Sequence, residues 1–373
     1  GTKSLSFIPA QTLRYMQSKA PIILESQGAT PVVWQIRKGV WAGSTICSSL
    51  QTEQWFVGGA ADVTSKGKLI LVNSGLSAAT VDIEVWNEIG AQPAKALTIK
   101  ANSYLEVGVD SLAPGSQSLV IKVFTRAGRV TSYMIDERGR GLRALGGDIV
   151  NFAPKVSKEV YIPAIPHTVR KVGSKSVELP HSLRILVPGE LDARVTVSVF
   201  STDGSFIPAG LEGKVVKSGS VATIDLNPNL PASKFGVRIS SDEPIVASVF
   251  SQTLSEGKSD FIWSTAANEL KPSVFSVAGL APQLIFIGAR VKVDLELFLN
   301  GGKRKTISVD AEDIATVKIP DGVRTVSVIR AEKGIYGAGL VATKSGYGYF
   351  PLSAGTVLTK SSVPMSNIRV LTP

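Results

Sequence analysis

Residues 81–86 read VDIEVW, and residues 293–298 read VDLELF. In both, apolar and acidic side chains alternate at every step. A strand sends successive side chains to opposite faces, so Val81, Ile83 and Val85 fall on one face and Asp82, Glu84 and Trp86 on the other. That is the pattern of an antiparallel strand with one face buried. A slip of one residue would drive two carboxylates into the core, so the register is firmly specified. Turn residues bound these runs: the TDG of 202–204 and the NGG of 300–302 supply the left-handed conformations that hairpins prefer. Pro244 marks a strand start or edge.

The pattern comes in copies, the sequence mark of repeated architecture. Residues 69–90, 183–204 and 284–302 begin with an apolar run and continue into an alternating strand; the third copy has a shorter intervening loop. A strand pair and a last hairpin follow each copy, placing Val130, Val246 and Tyr336 in equivalent positions. Residues 22–39 form a truncated fourth example with Val33 at that place. An entering strand precedes each full copy, with Trp55, Tyr161 and Phe275 spaced by about one small β-domain. These signals predict an all-β chain of tandem immunoglobulin-like β-sandwich domains, three full repeats plus a partial N-terminal repeat. The boundaries fall at 1–40 for the partial repeat, then 41–153, 154–267 and 268–373, the last with a C-terminal tail. An isolated hairpin is marginal in water, so the partial repeat is expected to dock on a neighbour.

The segments after each last hairpin repeat as well: 37–46, 139–148, 258–267 and 345–354. Each has charged or glycine residues, then an aromatic residue or leucine, then small residues. They read as linkers with two alternatives. The aromatics either plug one domain onto the next, or Trp41, Trp263, Tyr347 and Tyr349 form an exposed row of ligand contacts. Trp86, on the polar side of its strand, adds a candidate covered by a domain contact or used for sugar stacking.

Composition fits this reading. Apolar residues make up 44% and charged residues 19%, with 35 Gly and 20 Pro, which suits short strands and tight turns. Net charge is +10, from 40 Lys+Arg against 30 Asp+Glu, which favours approach to anionic surfaces. The basic residues are scattered apart from short clusters such as Lys303, Arg304 and Lys305, and no nucleic-acid-binding signature accompanies them. A single cysteine, Cys47, rules out an internal disulfide and any cysteine-based metal site. No apolar run approaches the ~20 residues of a membrane-spanning helix. The opening GTKSLS leaves room for a removed signal peptide or anchor ahead of it.

Candidate chemistry is sparse. His167 and His181, with Glu178 between them, match no metal-ligand spacing, and no cofactor is expected. The carboxylate pairs Asp136/Glu137, Asp242/Glu243 and Glu312/Asp313 are read as turn or strand-end groups serving backbone amides rather than as a glycosidase pair. The serine nucleophile elbow G-x-S-x-G is missing.

The block over residues 55–90, WFVGGAADVTSKGKLILVNSGLSAATVDIEVWNEIG, with Cys47 shortly ahead of it, resembles an actinobacterial family known only as a domain of unknown function (5719). The resemblance implies an exported or membrane-anchored protein of the cell envelope and carries no activity. The expectation is therefore a non-catalytic extracytoplasmic scaffold with an envelope protein as partner. The alternatives are a binding module for cell-wall polysaccharide or an anionic wall polymer and, behind it, a glycan hydrolase. Membrane contact would come only through an N-terminal anchor or the basic surface.

Overall fold

The computed structural model describes residues 31–352 apart from 40, 48, 49, 154 and 232. The first arm expected for the N-terminal hairpin, in 22–30, lies outside the described residues, as does the C-terminal tail from 353 onward. The described chain is all-β in several sheets, with no α-helix and two short 3-10 turns at Val109–Ser111 and Asn300–Gly302.

One strand order recurs along it. In the first block one sheet runs Glu53–Val57, Leu119–Ala127, Ala79–Asn87, Ala91–Ile99; the other runs Arg143–Val150, Val130–Arg140, Lys68–Asn73, Ser103–Gly108. In the second block Ser157–Pro166 and Ala193–Ser201 flank the first half of Lys234–Ser255, while His181–Leu186 and Lys258–Thr265 flank its second half. That one strand thus passes between two layers that separate strands build in the first block. In the third block Gln283–Leu299 and Arg304–Lys318 span both layers in the same way.

Alternation explains the packing. The strand Ala79–Asn87 buries every second residue, with Val81 and Ile83 fully inaccessible. Val293, Leu295 and Leu297 do the same in the third block. The outward acids pair with the neighbouring strand: Asp82 with Arg126, and Asp294 with Arg330 at 2.9 Å. Each block has its own apolar interior, built around Leu69, Ile83 and Ile121 in the first, Leu183, Val197 and Val237 in the second, and Phe286, Leu295 and Val326 in the third. A further cluster, with Ile262, Ile285 and Tyr349, joins the second and third. There Tyr161 and Tyr336 stack face to face, centroids 3.7 Å apart.

The segments read as linkers are strands. Trp41–Ile46, Arg143–Val150, Lys258–Thr265 and Gly346–Pro351 each turn back on the preceding strand through a two-residue loop, with closing pairs Lys38–Trp41, Arg140–Arg143, Ser255–Lys258 and Thr343–Gly346. The first of these hairpins crosses the boundary expected at residue 40. These four closing strands lack alternation because they are buried on both faces beyond their tips.

Candidate functional site

The four closing strands meet each other. Gly147 N donates to Asp260 Oδ1 at 3.0 Å, and three residues beyond Asp260 Trp263 N donates to Asp148 Oδ2 at 2.7 Å. A Cβ on Gly346 would collide with Asp260, whereas Tyr349 OH donates to Thr265 O at 2.6 Å. A Cβ on Gly43 would lie 2.6 Å from Ile149 N, and Asn151 Nδ2 donates to Ser44 O at 3.0 Å and Tyr349 O at 2.8 Å. In each comparison the contacts ascend together along both strands. The four strands therefore run side by side in one direction, and their hairpin turns lie at one end.

Glycines allow this approach. A Cβ on Gly147 would sit 2.8 Å from the Trp41 ring, and one on Gly348 would sit 2.8 Å from Ser44 N. The strands are edges with backbone groups to satisfy, and buried N–H groups are normally paired. Here carboxylates and an amide do it. Asp260 also accepts from the backbone of Phe261 and Ala42, and Asp148 from Ile149. Burial pushes the Asp260 carboxyl up to about 7 against the lowering effect of those bonds. Burial also raises Asp148 well above the usual carboxylate range, with the Asp260 charge adding to it. Asp136 accepts from Trp263 Nε1 at 2.9 Å and pairs with Arg138 at 3.0 Å. Arg184, fully desolvated and thereby lowered to about 9, lies 4.6 Å over the Trp263 ring and donates to Gly59 O and to Ser118 Oγ.

The sequence profile described as a family of unknown function, DUF5719, matches residues 26–320. That span exceeds half the chain. The chain belongs to DUF5719. No curated protein matches it in sequence. It is similar to a crystal structure of a Thermotoga maritima protein at 12% identity and a TM-score of 0.23, covering 31% of this chain and 93% of that one. Likeness at that level carries no argument.

In this DUF5719 chain Trp41, Trp263 and Tyr349 are among the largest fully buried side chains, so they make no exposed row. Tyr347 is partly buried, and desolvation raises its phenol. Trp86 is half-buried, stacked on Trp55 at 5.5 Å and packed against the second block's core. Lys303, Arg304 and Lys305 are exposed where the turn after Leu299 enters the strand Arg304–Lys318; Arg304 pairs with Glu296 at 3.6 Å and lies over the Phe298 ring. They stand on a different hairpin from the four just described.

His167 Nδ1 and His181 Nε2 are 3.0 Å apart, His181 Nδ1 meets Ser251 Oγ at 2.8 Å, and Glu178 lies 3.6 Å from His167 Nε2. His181 and Ser251 are buried, and desolvation lowers His181 to about 4. Among the described residues no group of three or more His, Cys, Asp or Glu is placed to hold a metal ion. Asp242 serves a backbone amide, accepting from Arg194 N at 2.7 Å, although it lies inside a strand rather than in a turn or at a strand end. Asp136 departs from that expectation: it sits inside a strand and serves Trp263. Glu312 and Asp313 also lie within a strand, at a bend where Asp313 has φ 57°. Among the described residues no helix is long and apolar enough to cross a membrane.

The plug alternative foresaw buried aromatics here but not the polar bonds of the junction, which join side chains to the backbone of distant strands. The available signal was the recurrence of Gly, Ser and Asp beside the aromatics: GGD at 146–148, KSD at 258–260 and GYGY at 346–349.

Proposed function

We propose that this protein is a non-catalytic, extracytoplasmic scaffold of the cell envelope, built as a tandem of immunoglobulin-like sandwiches with a partial repeat at its N-terminal side. The recurring strand order supports the tandem reading. The observation that carries the scaffold reading is the junction of four closing strands, which ties segments more than 300 residues apart in sequence, from Trp41 to Tyr349, into one buried contact. Such a junction fixes blocks relative to one another and so presents loops and sheet faces at set distances to a protein partner.

The test uses the full chain as bait in envelope extract at low and high salt, alongside fractionation of the producing cell. A protein partner retained at high salt supports the scaffold. Partners held only at low salt point to anionic polymer binding through the net positive charge. Turnover of a wall glycan by the purified chain would overturn the non-catalytic reading.

A further inference from the structure

In the second block the strands Val169–Val172 and Lys175–Glu178 pair only with each other, and residues 169–177 are exposed. This hairpin is a flap held at its base. There Leu179 N donates to Thr168 O at 3.0 Å, His167 N to Ser233 O at 2.9 Å, and Gln252 N to Pro180 O at 3.1 Å. Thr168 Oγ1 donates to Gln252 O at 3.3 Å. Across the same base stand the two histidines of the chain, one on each arm. Their rings stack with centroids 5.2 Å apart, and both lie edge-on to Phe235.

The contact between His167 Nδ1 and His181 Nε2, at 3.0 Å, needs one N–H and one lone pair. The pair accepts one added proton without losing it. His167 Nε2 is buried, has no hydrogen-bond partner and faces the Glu178 carboxylate at 3.6 Å. With a proton there, His167 Nδ1 donates to His181 Nε2, and His181 Nδ1 donates to Ser251 Oγ at 2.8 Å. A second proton sets two N–H groups against each other and places two positive charges in one buried position.

We propose that the histidine pair is an acid-released clamp on this hairpin: the first proton, on His167 beside Glu178, keeps the hairpin shut, and the second frees it from the second block. The surroundings of His181 do not offset the second charge. From Val221–Leu226 it faces Leu226, while Asp225 is exposed opposite Ser182. From Lys234–Ser255 it meets Phe235 and Ser251, and Lys234 beside them donates to Gln283. On the hairpin Arg170, Lys171 and Lys175 are exposed, and Glu178 meets the far nitrogen of His167.

Burial, with the His167 charge adding to it, lowers His181 to about 4 in the closed chain. In the released hairpin the ring is hydrated and titrates near the ordinary ~6.5. Closure is therefore favoured above that value and weakens as pH falls. The open form gains population about tenfold per pH unit down to about 4, where the gain levels off. This inference is independent of the scaffold reading.

The experiment follows hydrogen exchange of the full chain from pH 7 to pH 4, corrected for the intrinsic pH dependence of exchange. The peptide covering 166–182 is expected to open about tenfold or more between pH 6 and pH 4.5, while 260–265 changes no more than about twofold. His181→Gln keeps a polar side chain at the base but takes up no proton, so its hairpin should respond no more than about twofold. Unchanged protection at 260–265 confirms that the variant folds. Ring-proton NMR of the wild-type chain gives a second readout. One histidine should titrate with the hairpin still protected, and the other only as that protection is lost. An equal acid response in folded His181→Gln, no acid opening in the wild-type chain, or both rings titrating near ~6.5 beneath a protected hairpin would overturn the proposal.

Discussion

Replacing Asp260 by asparagine isolates the electrostatics of the junction. The carboxyl, pushed up to about 7 by burial, binds its proton more tightly in the folded chain than in the unfolded one, where a carboxyl of this kind titrates near ~3.9. Its contribution to stability is therefore fully present below that unfolded value and is lost as pH rises through about 7. Linkage over that window gives about 4 kcal/mol in all, of which roughly 2–3 kcal/mol falls between pH 5 and pH 8. The groups around it do not offset this: Asp148 is a second raised acid, and Asp136 is taken up by Arg138. Asparagine keeps an acceptor for Gly147 N and carries no charge, so it imitates the protonated form. Thermal melts from pH 5 to 8 should show the wild-type chain losing about 3–4 °C relative to Asp260→Asn, the gap narrowing towards the acid end. Parallel melting curves for the two proteins across this range would refute the reasoning.

Three further substitutions probe the packing. Trp263→Ala should cost about 3–5 kcal/mol in chemical denaturation by opening a cavity and removing the partners of Arg184 and Asp136; Trp263→Phe, which keeps a ring but not the indole N–H, should cost about 1–3 kcal/mol. Gly348→Ala should lower stability by about 1–3 kcal/mol and speed proteolysis near the first hairpin, because its Cβ meets Ser44 at 2.7 Å, whereas Gly189→Ala, with open space around it, should be nearly neutral. Trp86→Ala should cost about 2 kcal/mol or more and change the fluorescence of Trp55, which loses its stacking partner.

The fold was legible where one face of a strand is buried and the other wet. Val81, Ile83 and Val85 announced a sheet from local sequence alone. Legibility failed where both faces are buried. Trp41–Ile46 and Lys258–Thr265 show no two-residue rhythm, so their aromatics and small residues read as linkers, although beyond their tips they are buried on both faces. Strand order was legible in part: one unbroken strand, Lys234–Ser255, does the work of two, and nothing in its sequence marks the crossing except Asp242, Glu243 and Pro244.

Hydrogen exchange read by mass spectrometry on the intact chain addresses the junction most directly. Amide protection measures how readily each strand opens. Peptides covering 41–46, 146–150, 260–265 and 346–351 should be among the most protected, and all four should gain exchange together in Trp263→Ala. If 41–46 exchanged as fast as the exposed hairpin at 169–178, or if one of the four opened alone, the strands would not form a common buried contact.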